Sequence, residues 1–155
     1  MRVRLSLDCA SHTGVALIYN TGHIYSTVWC LTRPKKGPRQ VKGMTPLPSY
    51  RLRRRLERLD RNHHITDVVY EDAFGRGLAR DRHVSLQTIV CHWAMDLGIP
   101  YTAVQANHWK KKCLGKTNAK HAEYMAAAQK KWPQVRMWKD DQAAALWLAN
   151  YMGWA

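Results

Sequence analysis

Acidic residues are scarce in this sequence. It contains 11 Asp and Glu residues against 25 Lys and Arg residues, which gives a formal net charge of +14 at pH 7 over 155 residues. A surface of this sign attracts phosphate backbones or anionic membranes. The cations are grouped in three segments, at 33–42, 51–61 and 109–116. This clustering favours a nucleic acid as the partner, and the alternative is a soluble protein with a generally basic surface.

Long apolar runs are also missing. No segment approaches the roughly 20 apolar residues of a membrane-spanning helix, and the first ten residues, MRVRLSLDCA, lack the apolar core of a signal peptide. The four cysteines are scattered, with no CxxC pair and no zinc-site spacing, so we expect reduced thiols. We therefore expect a cytoplasmic protein without membrane contact. The length fits one domain over 1–155.

The hydrophobic pattern indicates a sheet with helices packed on it. Strict alternation predicts a strand at 2–8, with Val3, Leu5 and Leu7 on one face. We interpret 11–14 as a turn. Further strands are predicted at 15–20, 23–31, 65–74 and 98–105, helices at 49–63, 83–97, 117–132 and 140–152, and a short helix or turn at 107–115. This order predicts an α/β fold, in which a mixed five-stranded sheet has helices on both faces.

The few acids present lie at the ends of predicted elements. Asp8 ends the first strand, Glu71 lies near the end of the fourth, and Asp140 and Asp141 begin the last helix. Carboxylates that converge at one sheet edge repel one another unless a cation binds between them. Oxygen ligands suit Mg²⁺ or Mn²⁺, and two such ions can activate a water and stabilise the leaving oxygen in phosphodiester cleavage. Taken singly, each acid is better explained by a turn, a surface ion pair or a helix start, and only the set of acids together with this strand order favours a metal site.

Four segments, in order along the chain, resemble the motifs of RuvC-like Holliday junction resolvases. They are LSLDCASHTGVAL (5–17), VVYEDAFGRG (68–77), WKKKCLGKTNAKHAEYMAAAQKKWP (109–133) and DDQAAALWLA (140–149). The resemblance implies an RNase H-like fold, a homodimer, and nicking of four-way junctions and other branched DNA that depends on Mg²⁺ or Mn²⁺, with two ions per active site. The compact size favours a phage-encoded enzyme of DNA recombination and repair, which would act in the cytoplasm of a bacterial host.

By this resemblance, Asp8, Glu71 and Asp141 are catalytic residues and metal ligands. The family's fourth acid falls on Ala144, whose side chain has no oxygen to bind a metal. Alanine there is compatible with an introduced substitution, with a natural site that Asp140 completes, or with lost catalysis. Two alternative functions stay open: a less selective RNase H-like nuclease on forks, flaps or hybrids, and a non-catalytic protein that binds branched DNA, which Ala144 favours.

Helical spacing gives the last helix a core-facing stripe. Positions 141, 144, 145, 148 and 151 share one face, which would place Asp141 at the entrance of an apolar surface that points at the sheet edge. The helix at 83–97 is apolar on more than one side. It is our candidate for the dimer interface, with complete burial in the core as the alternative.

Basic and aromatic residues near the motifs are candidates for DNA contact. Arg76 and Arg80 follow the second motif, and Phe74 is a candidate wedge between base pairs or a core residue. Five lysines are predicted just before and within a helix N-terminus, where backbone amides add to phosphate binding. They are Lys110, Lys111, Lys112, Lys116 and Lys120.

Overall fold

Residues 2–32, 48–72 and 78–155 are described by the computed structural model. Within them, five strands form one sheet. The strands are β1 (Val3–Asp8), β2 (His12–Tyr19), β3 (Ile24–Cys30), β4 (Ile65–Asp72) and β5 (Tyr101–Gln105), in the order β3-β2-β1-β4-β5. The first three strands form an antiparallel meander, and β4 and β5 run parallel to β1. The predicted mixed five-stranded sheet is confirmed.

Helices cover both faces of this sheet, as predicted. They are α1 (Pro48–His63), α2 (Leu78–Asp96), α3 (Ala106–Leu114), α4 (His121–Lys131) and α5 (Asp140–Tyr151). Leu5 and Leu17 point into a core under α1 and α2, whereas Ala16 and Val69 point into a second core under α3, α4 and α5. Because side chains alternate along a strand, each strand contributes to both cores. None of the helices in the described ranges is long and apolar enough to cross a membrane.

The start of β2 differs from the prediction. His12 already belongs to the strand, and Gly14, which we expected in a turn, is paired with Asp8 across the sheet. Glycine and polar residues at 11–14 have the composition of a turn, but pairing with β1 and β3 decides the outcome.

Other element ends also move. α2 already includes Leu78, whereas we expected it to start at 83, and α4 begins at His121 instead of 117. The predicted last two residues of β4, 73 and 74, lie outside the described residues. Phe74 and Arg76 lie outside the described residues, and so does the side chain of Arg80. Their predicted contacts with DNA stay predictions.

Helix α5 is enclosed on all sides. Every residue from 142 to 149 is buried, so the prediction of a single core-facing stripe was too narrow. The helix packs on the sheet with one side and on α3 and α4 with others. Small side chains permit this close packing, and the hydroxyl of Ser6 donates a hydrogen bond to the carbonyl of Ala145 at 2.6 Å.

Candidate active site

Neighbouring parallel strands bring Asp8 and Glu71 together at one edge of the sheet. Leu7 of β1 is paired with Tyr70 of β4, so the next residues along the two strands are neighbours. Leu7 and Tyr70 point into the core under α1 and α2, and by alternation both carboxylates lie on the opposite face, towards α5. Parallel strands are about 4.8 Å apart, which is close enough for the two charges to repel each other.

The first turn of α5 brings Asp141 to the same edge. Asp8 is paired with Gly14, and the backbone carbonyl of Asp141 packs against Gly14. A Cβ at position 14 would lie 1.8 Å from that carbonyl oxygen, so the approach requires glycine. The structure thus gathers the three predicted metal ligands, Asp8, Glu71 and Asp141, which we call the carboxylate cluster.

Burial and mutual repulsion make the carboxylate cluster hard to ionise. Burial raises the pKa of Asp8 well above its ordinary value, and the charges of Glu71, Asp141 and Asp140 raise it further. Burial also raises the pKa of Glu71, and burial followed by the charge of Asp140 raises that of Asp141. Lys110 lowers the pKa of both Asp8 and Glu71. A further cation in the cluster would relieve the remaining repulsion.

Asp140, predicted as a supplementary ligand, has a different partner. Its carboxylate bonds to Nδ1 of His121 at the start of α4. Burial works to raise the pKa of Asp140, but the bond with His121 and the backbone amides of the helix start lower it. Asp140 is therefore an ionised, paired neighbour of the carboxylate cluster.

Several supporting residues were missed by the sequence reasoning. Buried Trp109 of α3 donates its Nε1–H to Oε2 of Glu71 at 2.8 Å. The amide of Gln87 in α2 donates to the backbone carbonyl of Glu71 at 2.7 Å. Trp109 packs edge-on against Tyr124, whose hydroxyl lies 3.3 Å from Nδ1 of His121. A tryptophan beside a run of lysines is a recognisable signal, but its hydrogen-bond partner is set by the fold.

Position 144, where the resolvases that this sequence resembles have their fourth acid, is buried. Ala144 is 2% exposed and packs in the core around α5.

Within residues 2–32, 48–72 and 78–155, no group of three or more His, Cys, Asp and Glu side chains is arranged to hold a metal ion. The chemistry of the carboxylate cluster nevertheless fits a hard divalent cation, because its donors are all oxygens and burial leaves their charges poorly compensated. Its ligands would be Asp8, Glu71 and Asp141.

The five predicted DNA-binding lysines do not share one helix N-terminus, so that part of the prediction is wrong. Lys110, Lys111 and Lys112 lie in the C-terminal half of α3. Lys116 and Lys120 lie in the connection that precedes α4. We expected 107–115 as a short helix or turn and the next helix from 117, which would have placed Lys120 inside that helix. Instead α4 begins at His121, so Lys116 and Lys120 both precede it.

The same lysines have different surroundings. Nζ of Lys110 lies 5.4 Å from the ring centroid of Trp109, beside the carboxylate cluster. Lys112 donates to the carbonyl of Tyr151 at 2.9 Å, and Lys116 is paired with Glu123. Lys111 and Lys120 are exposed. These exposed lysines are the better candidates for contact with DNA outside the active site.

A second basic surface lies between α1 and the end of β3. A cavity of about 590 Å³ there is lined by Arg51, Arg54, Arg55 and Arg58, and we call it the arginine groove. The guanidinium of Arg51 donates to the carbonyl of Leu31 at 3.1 Å. Since β3 runs in the same direction as β1, the groove opens at the sheet edge that carries the carboxylate cluster.

Solved structures share this fold. RuvC of Thermus thermophilus in complex with a Holliday junction substrate superposes with a TM-score of 0.70 and 14% identity, covering 99% of this chain and 94% of that chain. A second structure of Thermus thermophilus RuvC gives 0.64 and 17%, with coverages of 99% and 98%. The yeast mitochondrial Holliday junction resolvase Ydc2 gives 0.58 and 14%, with coverages of 97% and 79%.

The two sequence comparisons give no match: neither a protein-family model nor a curated protein matches this sequence. The structural likeness, which covers nearly the whole chain, shows that the protein has the RNase H-like fold of the RuvC-like resolvases. This confirms the fold expected from the four motifs.

Proposed function

We propose that this protein is a single-domain endonuclease that nicks Holliday junctions and other branched DNA with Mg²⁺ or Mn²⁺ as its cofactor. The observation that carries the proposal is the carboxylate cluster at one edge of a RuvC-like sheet. A net charge of +14 around buried acids supports a phosphate-bearing substrate. RuvC has been solved with a Holliday junction substrate, and Ydc2 is a Holliday junction resolvase.

The carboxylate cluster and the side chains next to it would have different roles in cleavage. Asp8, Glu71 and Asp141 would supply the oxygen ligands. Divalent ions bound there would activate a water and stabilise the leaving oxygen. Trp109 holds Oε2 of Glu71 by a hydrogen bond and would leave the other carboxylate oxygen available to a metal ion. Lys110, beside the cluster, would contact the phosphate at the bond to be cut.

The arginine groove would hold an arm of the DNA. Cys30 in its lining is paired with His12, two residues beyond the row that joins Asp8 to Gly14 and Val28, so the groove lies at the end of the sheet that carries Asp8, on the face covered by α1. Arginine contacts of this kind supply affinity and orientation but read no sequence. Exposed Lys111 and Lys120 would extend the basic track on the side of α3 and α4.

We also propose a homodimer through α2. Leu86, Val90 and Trp93 of this helix are buried in the core, but Val84 and Met95 are 42% and 62% exposed. Complete burial of the helix is therefore excluded. A two-fold dimer would present two carboxylate clusters to the symmetric strands of a four-way junction.

The test is a cleavage assay on matched substrates. A labelled four-way junction is incubated with Mg²⁺ and the wild-type protein, Asp8→Asn or Ala144→Asp, beside a linear duplex, a fork, a flap and an RNA–DNA hybrid of matched sequence. Symmetric nicks in the junction by the wild type or Ala144→Asp, and none by Asp8→Asn, are expected. Equal cutting of forks, flaps and RNA–DNA hybrids would instead indicate the less selective nuclease.

A second candidate is a non-catalytic protein that binds branched DNA. Ala144 is buried and has no side-chain oxygen that could bind a metal, which favours this candidate. Tight binding of the junction with no cutting by either the wild type or Ala144→Asp would establish it and would overturn the nuclease.

A further inference from the structure

Trp138 is an exposed tryptophan beside the carboxylate cluster. It lies in the segment 132–139, which connects α4 to α5, and it is 66% exposed. Val135 and Met137 of the same segment are partly buried against the core around α5. Single exposed apolar side chains are common and need no explanation. What distinguishes Trp138 is how its backbone is held and what lies next to it.

Gln142 fixes the backbone of this segment. It is fully buried in the first turn of α5, its Oε1 accepts the backbone N–H of Trp138 at 2.8 Å, and its Nε2 points to the carbonyl of Arg136 at 3.5 Å. Gln142 directly follows Asp141 in the helix. The turn that carries a carboxylate of the cluster therefore also holds Trp138 in place.

The indole of Trp138 has a cation on one face and a cavity beside it. The guanidinium carbon of Arg136 lies 3.9 Å from the ring centroid. Trp138 lines a cavity of about 460 Å³ that it shares with His12, Asp140 and Asp141. A planar group that enters this cavity can contact both Trp138 and Asp141 of the carboxylate cluster, because both side chains line it.

We propose that Trp138 stacks on an unpaired nucleobase at the branch point, next to the phosphodiester bond that is cut. The inference rests on the proposed function and adds the residue that would recognise the branch. Inside a continuous duplex both faces of a base are covered, whereas a strand exchange point exposes a face to an aromatic side chain. Arg136 behind the ring adds positive charge, which strengthens stacking on nucleic acid.

Three variants test the stacking: Trp138→Ala, Trp138→Phe and Tyr25→Ala. Tyr25 is a matched control, because it is an exposed aromatic residue (47%) on β3, away from the carboxylate cluster. Binding is measured in EDTA, which prevents metal-dependent cutting, on a four-way junction with 2-aminopurine at the branch point and on a linear duplex. Trp138→Ala should bind the junction about 5-fold to 100-fold more weakly and lose the fluorescence change of the 2-aminopurine. Trp138→Phe should retain most of both signals, and duplex binding should not change.

Other results of the same measurements would overturn either the stacking by Trp138 or the proposed function, and they can be told apart. Junction binding by Trp138→Ala equal to that of the wild type would overturn the stacking and leave the nuclease untouched. Equal losses on junction and duplex, with a smaller mass in light scattering, would assign Trp138 to a protein interface instead. A wild type that binds the junction no better than the duplex would overturn the proposed function itself.

Discussion

The backbone carbonyl of Asp141 packs so closely on Gly14 that a Cβ at position 14 would lie 1.8 Å from its oxygen and 2.3 Å from its carbon. Gly14 is also the sheet partner of Asp8. One contact between a strand and a helix therefore sets the spacing of two carboxylates. The geometry of the candidate site depends on the absence of a side chain at this position.

We expect Gly14→Ala to damage activity more than stability. The extra methyl group must push the first turn of α5 outward, at a cost of about 1–3 kcal/mol, and Asp141 moves with it. A displacement of about 1 Å can reduce a rate about 100-fold, so a loss of that size is expected in single-turnover cleavage of the junction. The assay uses whichever of the wild-type and Ala144→Asp backgrounds cleaves.

Gly115→Ala provides the control for this prediction. Gly115 has a φ of 76° and no neighbour within 4 Å of a Cβ, so alanine there is strained but meets nothing. It should lower the free energy of unfolding by about 1–2 kcal/mol and leave cleavage unchanged. If both variants lost activity in proportion to stability, the contact between Gly14 and Asp141 would have no special role.

Asp8→Asn should abolish cleavage and yet stabilise the metal-free protein. The folded-state pKa of Asp8 is raised above its ordinary value of 3.8, so the native state holds a proton that the unfolded chain releases. Stability therefore falls as the pH rises from about 4 through the raised pKa. In EDTA at pH 8, the variant should have the higher Tm, and the difference should disappear near pH 3.

Replacing Asp67 by Asn should change the Tm in the opposite direction to Asp8→Asn. Its pKa is lowered by the hydrogen bond from Arg2, so Asp67→Asn should lower the Tm at pH 8.

Added Mg²⁺ should raise the Tm of the wild type but not that of Asp8→Asn. A wild type whose Tm ignores Mg²⁺ would contradict a metal site at the carboxylate cluster.

Much of the fold could be predicted because its signals are local. Alternation in β1 assigns Leu5 and Leu7 to one face and Asp8 to the other, and the structure agrees. The acids Asp8 and Glu71 were recognisable because each lies near the end of a predicted strand. The order of strands and helices then required a mixed sheet.

The rest could not be predicted because it depends on contacts between distant segments. Trp109 and Gln87 converge on Glu71 from two different helices, and no local pattern encodes that meeting. Gly14 lies in a segment with the composition of a turn, and the need for glycine there is explained only by the close approach of the Asp141 carbonyl. Such positions are fixed by tertiary packing, which overrides local preference.

Ala144→Asp should make the protein less stable without metal and more active with it. Ala144 is 2% exposed, and a carboxylate buried there without a partner should cost roughly 2 kcal/mol or more. If the position belongs to the metal site, Mg²⁺ should restore the Tm and raise junction cleavage by orders of magnitude. Thermal unfolding with and without Mg²⁺ measures the first effect, and cleavage assays measure the second.

Ala149→Asp is the matched control for that variant. Ala149 is equally buried in α5 but lies near the opposite end of the helix. It should lose stability in the same way and gain nothing from Mg²⁺. Equal rescue of both variants by Mg²⁺ would show that the metal acts elsewhere, and an unchanged cleavage rate in Ala144→Asp would remove position 144 from the site.

The arginine groove makes a prediction about salt. Each phosphate contact that is lost should reduce the slope of log K against log salt concentration by about 0.9, so Arg54→Gln with Arg58→Gln should reduce it by about 1.8. Arg53→Gln is the control on the same helix, because Arg53 donates to Glu57 at 2.9 Å and to Asp96 at 2.8 Å and is therefore already paired. Titrations of labelled junction across a range of salt give the three slopes. An unchanged slope in the double variant, or an equal fall with Arg53→Gln, would mean that DNA does not enter the groove.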